Sequence, residues 1–132
     1  MSEVVIHQPA DFDLYIPQIL SKAIPLIYLH GHLGAGKTTF VKQLGKYLGI
    51  TKPIVSPTFT YIREYSMKRG RLYHLDLYRF EGNLDDVLPL SQLEPHDLVC
   101  IEWAENIPAL AALPHLDLYL SYIDENTRTL IW

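Results

Sequence analysis

Gly31-His32-Leu33-Gly34-Ala35-Gly36-Lys37-Thr38 meets the pattern G-x-x-x-x-G-K-[ST] at every fixed position. Glycines let a backbone turn tightly, so that successive N–H groups point inward at phosphate oxygens. A lysine at position 37 brings a compact cation to the β and γ phosphates, and the Thr38 hydroxyl can complete a Mg²⁺ shell. Ahead of the loop runs Leu26-Ile27-Tyr28-Leu29, an apolar run behind Pro25 that reads as a buried strand. Behind it Phe40, Val41, Leu44, Tyr47 and Leu48 recur at helical spacing, and Gly49 is placed to end the helix. Strand, loop and helix in that order set bound phosphates on a helix N-terminus. The stretch predicts a nucleoside-triphosphate site. Its expected contacts are Leu33, Gly34, Ala35, Gly36, Lys37, Thr38 and Thr39.

Working outward, the 132 residues suffice for one domain with a real core, and residues 1–132 are expected to form that single domain. Hydrophobic residues make up 48% and charged residues 20%, as in ordinary soluble chains. A net charge of −4 argues against broad binding to a phosphate backbone, so any contact with RNA is expected to be indirect. One cysteine, Cys100, sits within an apolar run, which excludes an intrachain disulfide framework and suggests a reducing compartment. No apolar run approaches a membrane span and no signal-peptide pattern opens the sequence. The expectation is a cytoplasmic protein without membrane contact.

Val4-Val5-Ile6 reads as a short strand and Phe12 to Ala23 as a helix. After the loop helix, Tyr61-Ile62-Arg63-Glu64-Tyr65 and Leu72 to Tyr78 form a hairpin turned by Lys68-Arg69-Gly70-Arg71. Residues 84 to 93 read as a short helical stretch broken by Pro89, and Leu98-Val99-Cys100-Ile101 as a second buried strand ending at Glu102. Leu116 to Tyr122 and Arg128 to Trp132 close the chain as a hairpin through Asp124-Glu125-Asn126. The fold class expected is α/β, a P-loop NTPase-like domain with a mixed sheet flanked by helices.

A phosphate loop hydrolyses little without an acid for the metal and a group to orient water. Glu102 emerges from its strand at the carboxyl edge where ligands gather. Asp76 shares one strand face with His74, while Tyr73, Leu75 and Leu77 take the other. Each acid alone reads equally as a solvated strand end; beside the loop, Lys37, Asp76 and Glu102 form the expected catalytic set. Ser56-Pro57-Thr58-Phe59-Thr60 reads either as a turn cornered by proline or as a switch-like loop whose Ser56, Thr58 and Thr60 hydroxyls approach the γ phosphate. Arg63 and Arg79 are candidate charge-stabilising arginines or exposed strand ends. Trp103 could pack near the nucleotide, and His32 occupies a variable position. Glu81, Asp85, Asp86, Glu94 and Asp97 read as a solvated face.

Four blocks in order go beyond a generic phosphate loop: residues 31 to 40, Ser56-Pro57-Thr58-Phe59-Thr60, Tyr73-His74-Leu75-Asp76-Leu77-Tyr78-Arg79 and Ile101-Glu102-Trp103. Together they resemble the bacterial TsaE (YjeE) family. The resemblance implies an ATPase of threonylcarbamoyladenosine (t6A) biosynthesis, which modifies the adenosine beside the anticodon of tRNAs reading ANN codons. It implies ATP and Mg²⁺ as ligands, the TsaB–TsaD heterodimer as partner, and ATP hydrolysis that resets this heterodimer between turnovers. By matched position, Thr38, Glu102 and Asp76 would serve the metal, with Asp76 alternatively serving the attacking water. Arg128 resembles a C-terminal arginine that reaches the nucleotide, and the N-terminal segment would approach the adenine. His32 stands where relatives commonly carry Asp, Ala104 where Pro often follows Glu-Trp, and the sequence stops at Trp132, shorter than many relatives. Two other readings compete: a small P-loop kinase for a nucleoside or metabolite, against which stands the lack of an arginine-rich lid, and a nucleotide-dependent switch in which hydrolysis is incidental.

Overall fold

The computed structural model describes residues 1–57, 59–88 and 90–132. The expected hydroxyl of Thr58 and the helix break at Pro89 lie outside the described residues.

Seven strands form one sheet: β1 (Glu3–Ile6), β2 (Leu26–His30), β3 (Ile62–Ser66), β4 (Arg71–Asp76), β5 (Leu98–Glu102), β6 (Leu116–Asp124) and β7 (Thr127–Ile131). Their spatial order is β1-β7-β6-β2-β5-β4-β3. The four inner strands β6, β2, β5 and β4 run parallel. Antiparallel pairs β3–β4, β6–β7 and β1–β7 complete both sides, so the sheet is mixed as expected. The parallel strands lie innermost, where near-continuous apolar runs such as Leu98-Val99-Cys100-Ile101 can be covered on both faces.

One face packs against helix α2, Lys37–Tyr47, through Phe40, Val41 and Leu44 set on Ile27, Leu29, Cys100 and Leu118. Leu48 caps the helix, after which Ile50 N–H donates to Gly45 O (2.9 Å) and Gly49 N–H to Lys46 O (3.1 Å). That pairing requires a left-handed residue after the cap, supplied by Gly49 at φ 82°.

The N-terminal helix differs from expectation. Pro9–Leu14 is a 3₁₀ segment and α1 covers only Ile16–Leu20, with Pro17 in its first turn. Proline has no N–H and clashes with the carbonyl four residues earlier, so a helix can begin at Pro17 but not run through it. Residues 84 to 93 likewise resolve into two single 3₁₀ turns, Leu84–Asp86 and Leu90–Gln92. These turns, with those at Ala104–Asn106 and Pro108–Ala112, cover the second face over Leu26, Tyr28, Leu75, Leu77 and Ile101. Asp97 leaves the expected solvated face: it is buried, accepting the Arg71 N–H on Oδ1 and the Glu94 N–H on Oδ2, each at 2.8 Å. The start of β4 and the turn entering β5 each leave an amide donor, and the carboxylate satisfies both. Among the described residues no helix is long and apolar enough to cross a membrane.

Candidate active site

Register places the site. Leu29 on β2, Glu102 on β5 and Asp76 on β4 are neighbours in one row at the carboxyl edge of the parallel strands. From β2 the chain enters the glycine loop, and α2 begins only after Gly36 has turned left-handed at φ 104°. Gly31 runs so close to β6 that a Cβ there would lie 2.5 Å from Leu120 O. Leu33, Gly34, Gly36, Lys37, Thr38 and Thr39 line a cavity of about 1010 Å³. The Ala35 side chain points into the core and its N–H donates to His32 O at 3.0 Å, so among the expected loop contacts this one is already engaged within the loop.

Lys37 is 5% exposed, and its Nζ sits 4.3 Å over the Trp103 ring. It enters none of the ion pairs among the described residues. A buried ammonium without an anion is costly unless a ligand brings one, and the cavity it faces has room for phosphates. Thr38 Oγ1 donates to Glu102 Oε2 at 3.2 Å, and His74 Nε2 lies 2.5 Å from the same oxygen. Glu102 is 4% exposed. Asp76 Oδ1 accepts the Tyr78 N–H at 3.1 Å. Partial burial pushes the Asp76 carboxyl above its ordinary range; the Tyr78 N–H opposes this, and the Glu102 charge adds to it. A hydroxyl and two carboxylates offer hard oxygen donors, the set that suits Mg²⁺ carrying phosphate and waters as further ligands.

The opposite wall comes from loops. Ser56 lines the cavity beside Phe59, while Thr60 Oγ1 turns away to donate to Ile62 O at 3.0 Å. Tyr61 and Trp103, both lining residues, adopt left-handed backbone at φ 64° and 61°, conformations that cost non-glycine residues free energy. Arg79 reaches the cavity, stacked on Tyr78, whereas Arg63 is exposed on β3 outside the lining. His32 is exposed beside the loop. Arg128 lies over the Tyr122 ring and donates from Nε to Gly34 O at 3.2 Å and from a terminal nitrogen to Asp124 O and Thr127 O.

Sequence reasoning assigned no role to His74 as the partner of Glu102, though strand alternation had set it on the face of Asp76. His7, Gln8, Pro9 and Phe12 also line the cavity, giving residues to an N-terminal approach that no motif marks. Glu125 and Asn126 of the β6–β7 turn join them.

Strand, glycine loop and helix, with acids in register on the neighbouring strands, define an α/β domain of the P-loop type. Residues 8–130 match the family model described as "Threonylcarbamoyl adenosine biosynthesis protein TsaE". The chain is 48% identical over 111 residues to the "tRNA threonylcarbamoyladenosine biosynthesis protein TsaE" of Nostoc sp., covering 78% of this chain and 66% of that relative. It is 34% identical over 132 residues to the protein of the same name from Aquifex aeolicus, covering 97% and 92%. The crystal structure of Bacillus subtilis YdiB superposes with a TM-score of 0.71 at 29% identity, covering 98% of this chain and 82% of that one. This chain belongs to the TsaE family. It spans just under two thirds of the length of the Nostoc relative.

Proposed function

We propose that the chain binds ATP with Mg²⁺ in this cavity and hydrolyses it slowly, as a cytoplasmic accessory ATPase of tRNA threonylcarbamoyladenosine synthesis. Family membership supports the pathway; the TsaB–TsaD heterodimer as partner follows from the resemblance of the four sequence blocks. The observation that carries the nucleotide reading is Lys37, a buried ammonium at the head of the glycine loop that enters no ion pair among the described residues.

In this reading the loop N–H groups and Lys37 hold the β and γ phosphates, and Thr38 and Glu102 hold the metal. Mg²⁺, when bound, neutralises charge on the phosphate oxygens. Asp76 orients the attacking water and takes its proton, a task suited to a carboxyl raised by burial. Slow turnover follows from the arginines: Arg128 is occupied by backbone carbonyls and Arg79 by Tyr78. A stabilising arginine raises such rates by ~10³–10⁵, so a partner that supplies one, or frees one of these two, stimulates hydrolysis. With a net charge of −4, the chain meets tRNA only through that partner.

Radiolabelled ATP tests the reading. Phosphate released to water by the wild-type chain, accelerated by TsaB–TsaD and abolished by Lys37→Ala, is the expected result. Unchanged ATP affinity and turnover in folded Lys37→Ala would refute the nucleotide site. Transfer to a small acceptor would make the chain a kinase instead.

A further inference from the structure

His74 is fully enclosed on the β4 face that packs toward α2, beside Leu72 and Cys100. Its Nε2 meets Glu102 Oε2 at 2.5 Å, while its Nδ1 is buried with no hydrogen-bond partner among the described residues. A core position filled for packing alone would favour leucine or phenylalanine, because an orphaned ring nitrogen forfeits solvation and gains nothing in return. What distinguishes histidine here is the contact with Glu102.

We propose that His74 is a positioning residue: its Nε2–H clamps one oxygen of Glu102, so that the carboxylate is held oriented for a divalent cation. This deepens the nucleotide reading above and rests on it. The hydrogen-bond partners assign the tautomer. Nε2 faces an acceptor and carries a proton, whereas a proton on Nδ1 would be buried with nothing to receive it. The ring thus meets Glu102 as a hydrogen-bond donor that fixes one carboxylate oxygen.

Both hydrogen bonds to Glu102 fall on Oε2, from His74 and from Thr38 Oγ1. Oε1 is left unclaimed by any hydrogen bond among the described residues, and Glu102 lines the cavity. Two strands and a helix thus converge on one oxygen: His74 comes from β4, Glu102 from β5, and Thr38 from the helix that β2 leads into. Register makes the clamp possible, since His74 pairs with Cys100, two residues before Glu102 on the adjacent strand.

The test is calorimetric titration of ADP with and without Mg²⁺, the readout being the gain in affinity that the metal confers. Partners that orient metal ligands typically contribute 10–100-fold in metal affinity, so His74→Phe is expected to lose about tenfold or more of that gain. His74→Gln, whose terminal amide reaches as far as Nε2, retains most of it. If the apolar variant fails to fold, His74→Asn takes its place: its amide stops short of Glu102, and it should lose the gain that glutamine keeps. A folded His74→Phe with the full metal response, or glutamine and asparagine variants that behave alike, overturns the proposal. ADP binding absent from the wild-type chain would overturn the functional reading and this proposal together.

Discussion

The two walls of the cavity are built differently. One comprises the glycine loop, α2 and β5, and its polar groups are buried and mutually engaged: Lys37 against Trp103, Thr38 and His74 on Glu102. The other is made of Ser56, Phe59, Tyr61, Tyr78 and Arg79, where Phe59 is 95% exposed and Tyr78 and Arg79 face solvent. The first wall is fixed by buried contacts, the arrangement that the proposed phosphate and metal site would need. In the second, Phe59 is almost fully exposed, and Tyr61 and Tyr78 are held by ring contacts to Phe80 and Trp103. The contrast is the one expected on the reading proposed above, in which nucleotide binding precedes a second event that triggers hydrolysis.

Breaking the built wall should cost most. Phe40 is fully buried, with its ring edge-on to Phe12 at 5.4 Å between centroids. Phe40→Ala should destabilise the fold by about 3–5 kcal/mol, read as the shift of the urea midpoint, and loosen the N-terminal segment that Phe12 anchors at the cavity.

Next comes the boundary between the walls. Asp76→Asn should slow single-turnover hydrolysis by about 100-fold or more while ATP binding persists, since a general base is worth ~10²–10⁴. The same variant should gain stability at neutral pH. A carboxyl raised in the folded state favours folding when protonated, and that contribution is lost as pH rises from its ordinary 3.8 through the higher folded value. The gain of asparagine over wild type should therefore shrink as the pH falls through that window, and thermal melts at stepped pH will show it. Partial exposure keeps the change modest.

A smaller effect tests the metal. Glu102→Gln keeps an acceptor but removes the charge, so Mg²⁺-dependent ATP affinity should fall about tenfold, or ~1.4 kcal/mol, in titrations at varied Mg²⁺. Loss of metal-dependent affinity in the Asp76 variant, and not in this one, would exchange the two roles. Smallest of all, Phe59→Ser should shift stability by less than about 0.5 kcal/mol, because the side chain packs on almost nothing. If the second wall is completed by a partner, this variant changes ATP turnover more with TsaB–TsaD present than without.

Legibility follows the same division. Leu26 to Leu48 could be read because a loop motif sat between a short apolar run and a helical period, and Glu102 because it ended a buried strand. Regular elements advertise themselves through periodicity. Asp97 misled because a lone acid in a polar loop looks solvated, and only the strands around it show which amides it satisfies. The helix expected over Phe12 to Ala23 misled because a 3₁₀ segment carries no period long enough to detect, and proline spacing resembles a helix start. His74 was visible as a face but not as a partner. Its role depends on the register between β4 and β5, whose residues lie 28 positions apart at the contact.

One feature of the sheet governs when the cavity can exist at all. β1 pairs with β7, Glu3 opposite Ile131 and Ile6 opposite Arg128, so both extremities of the sheet's chain meet on one edge. The cavity takes Gln8 and Phe12 from one and Asn126 and Arg128 from the other. A ribosome-bound chain that has already exposed the glycine loop, α2 and β5 still lacks the strand against which β1 must pair. Until β7 emerges, the cavity stays open on that side, and domains generally fold as units once their last strand is available. On the reading proposed above, the half-made protein would have its phosphate loop but no complete pocket in which to use it.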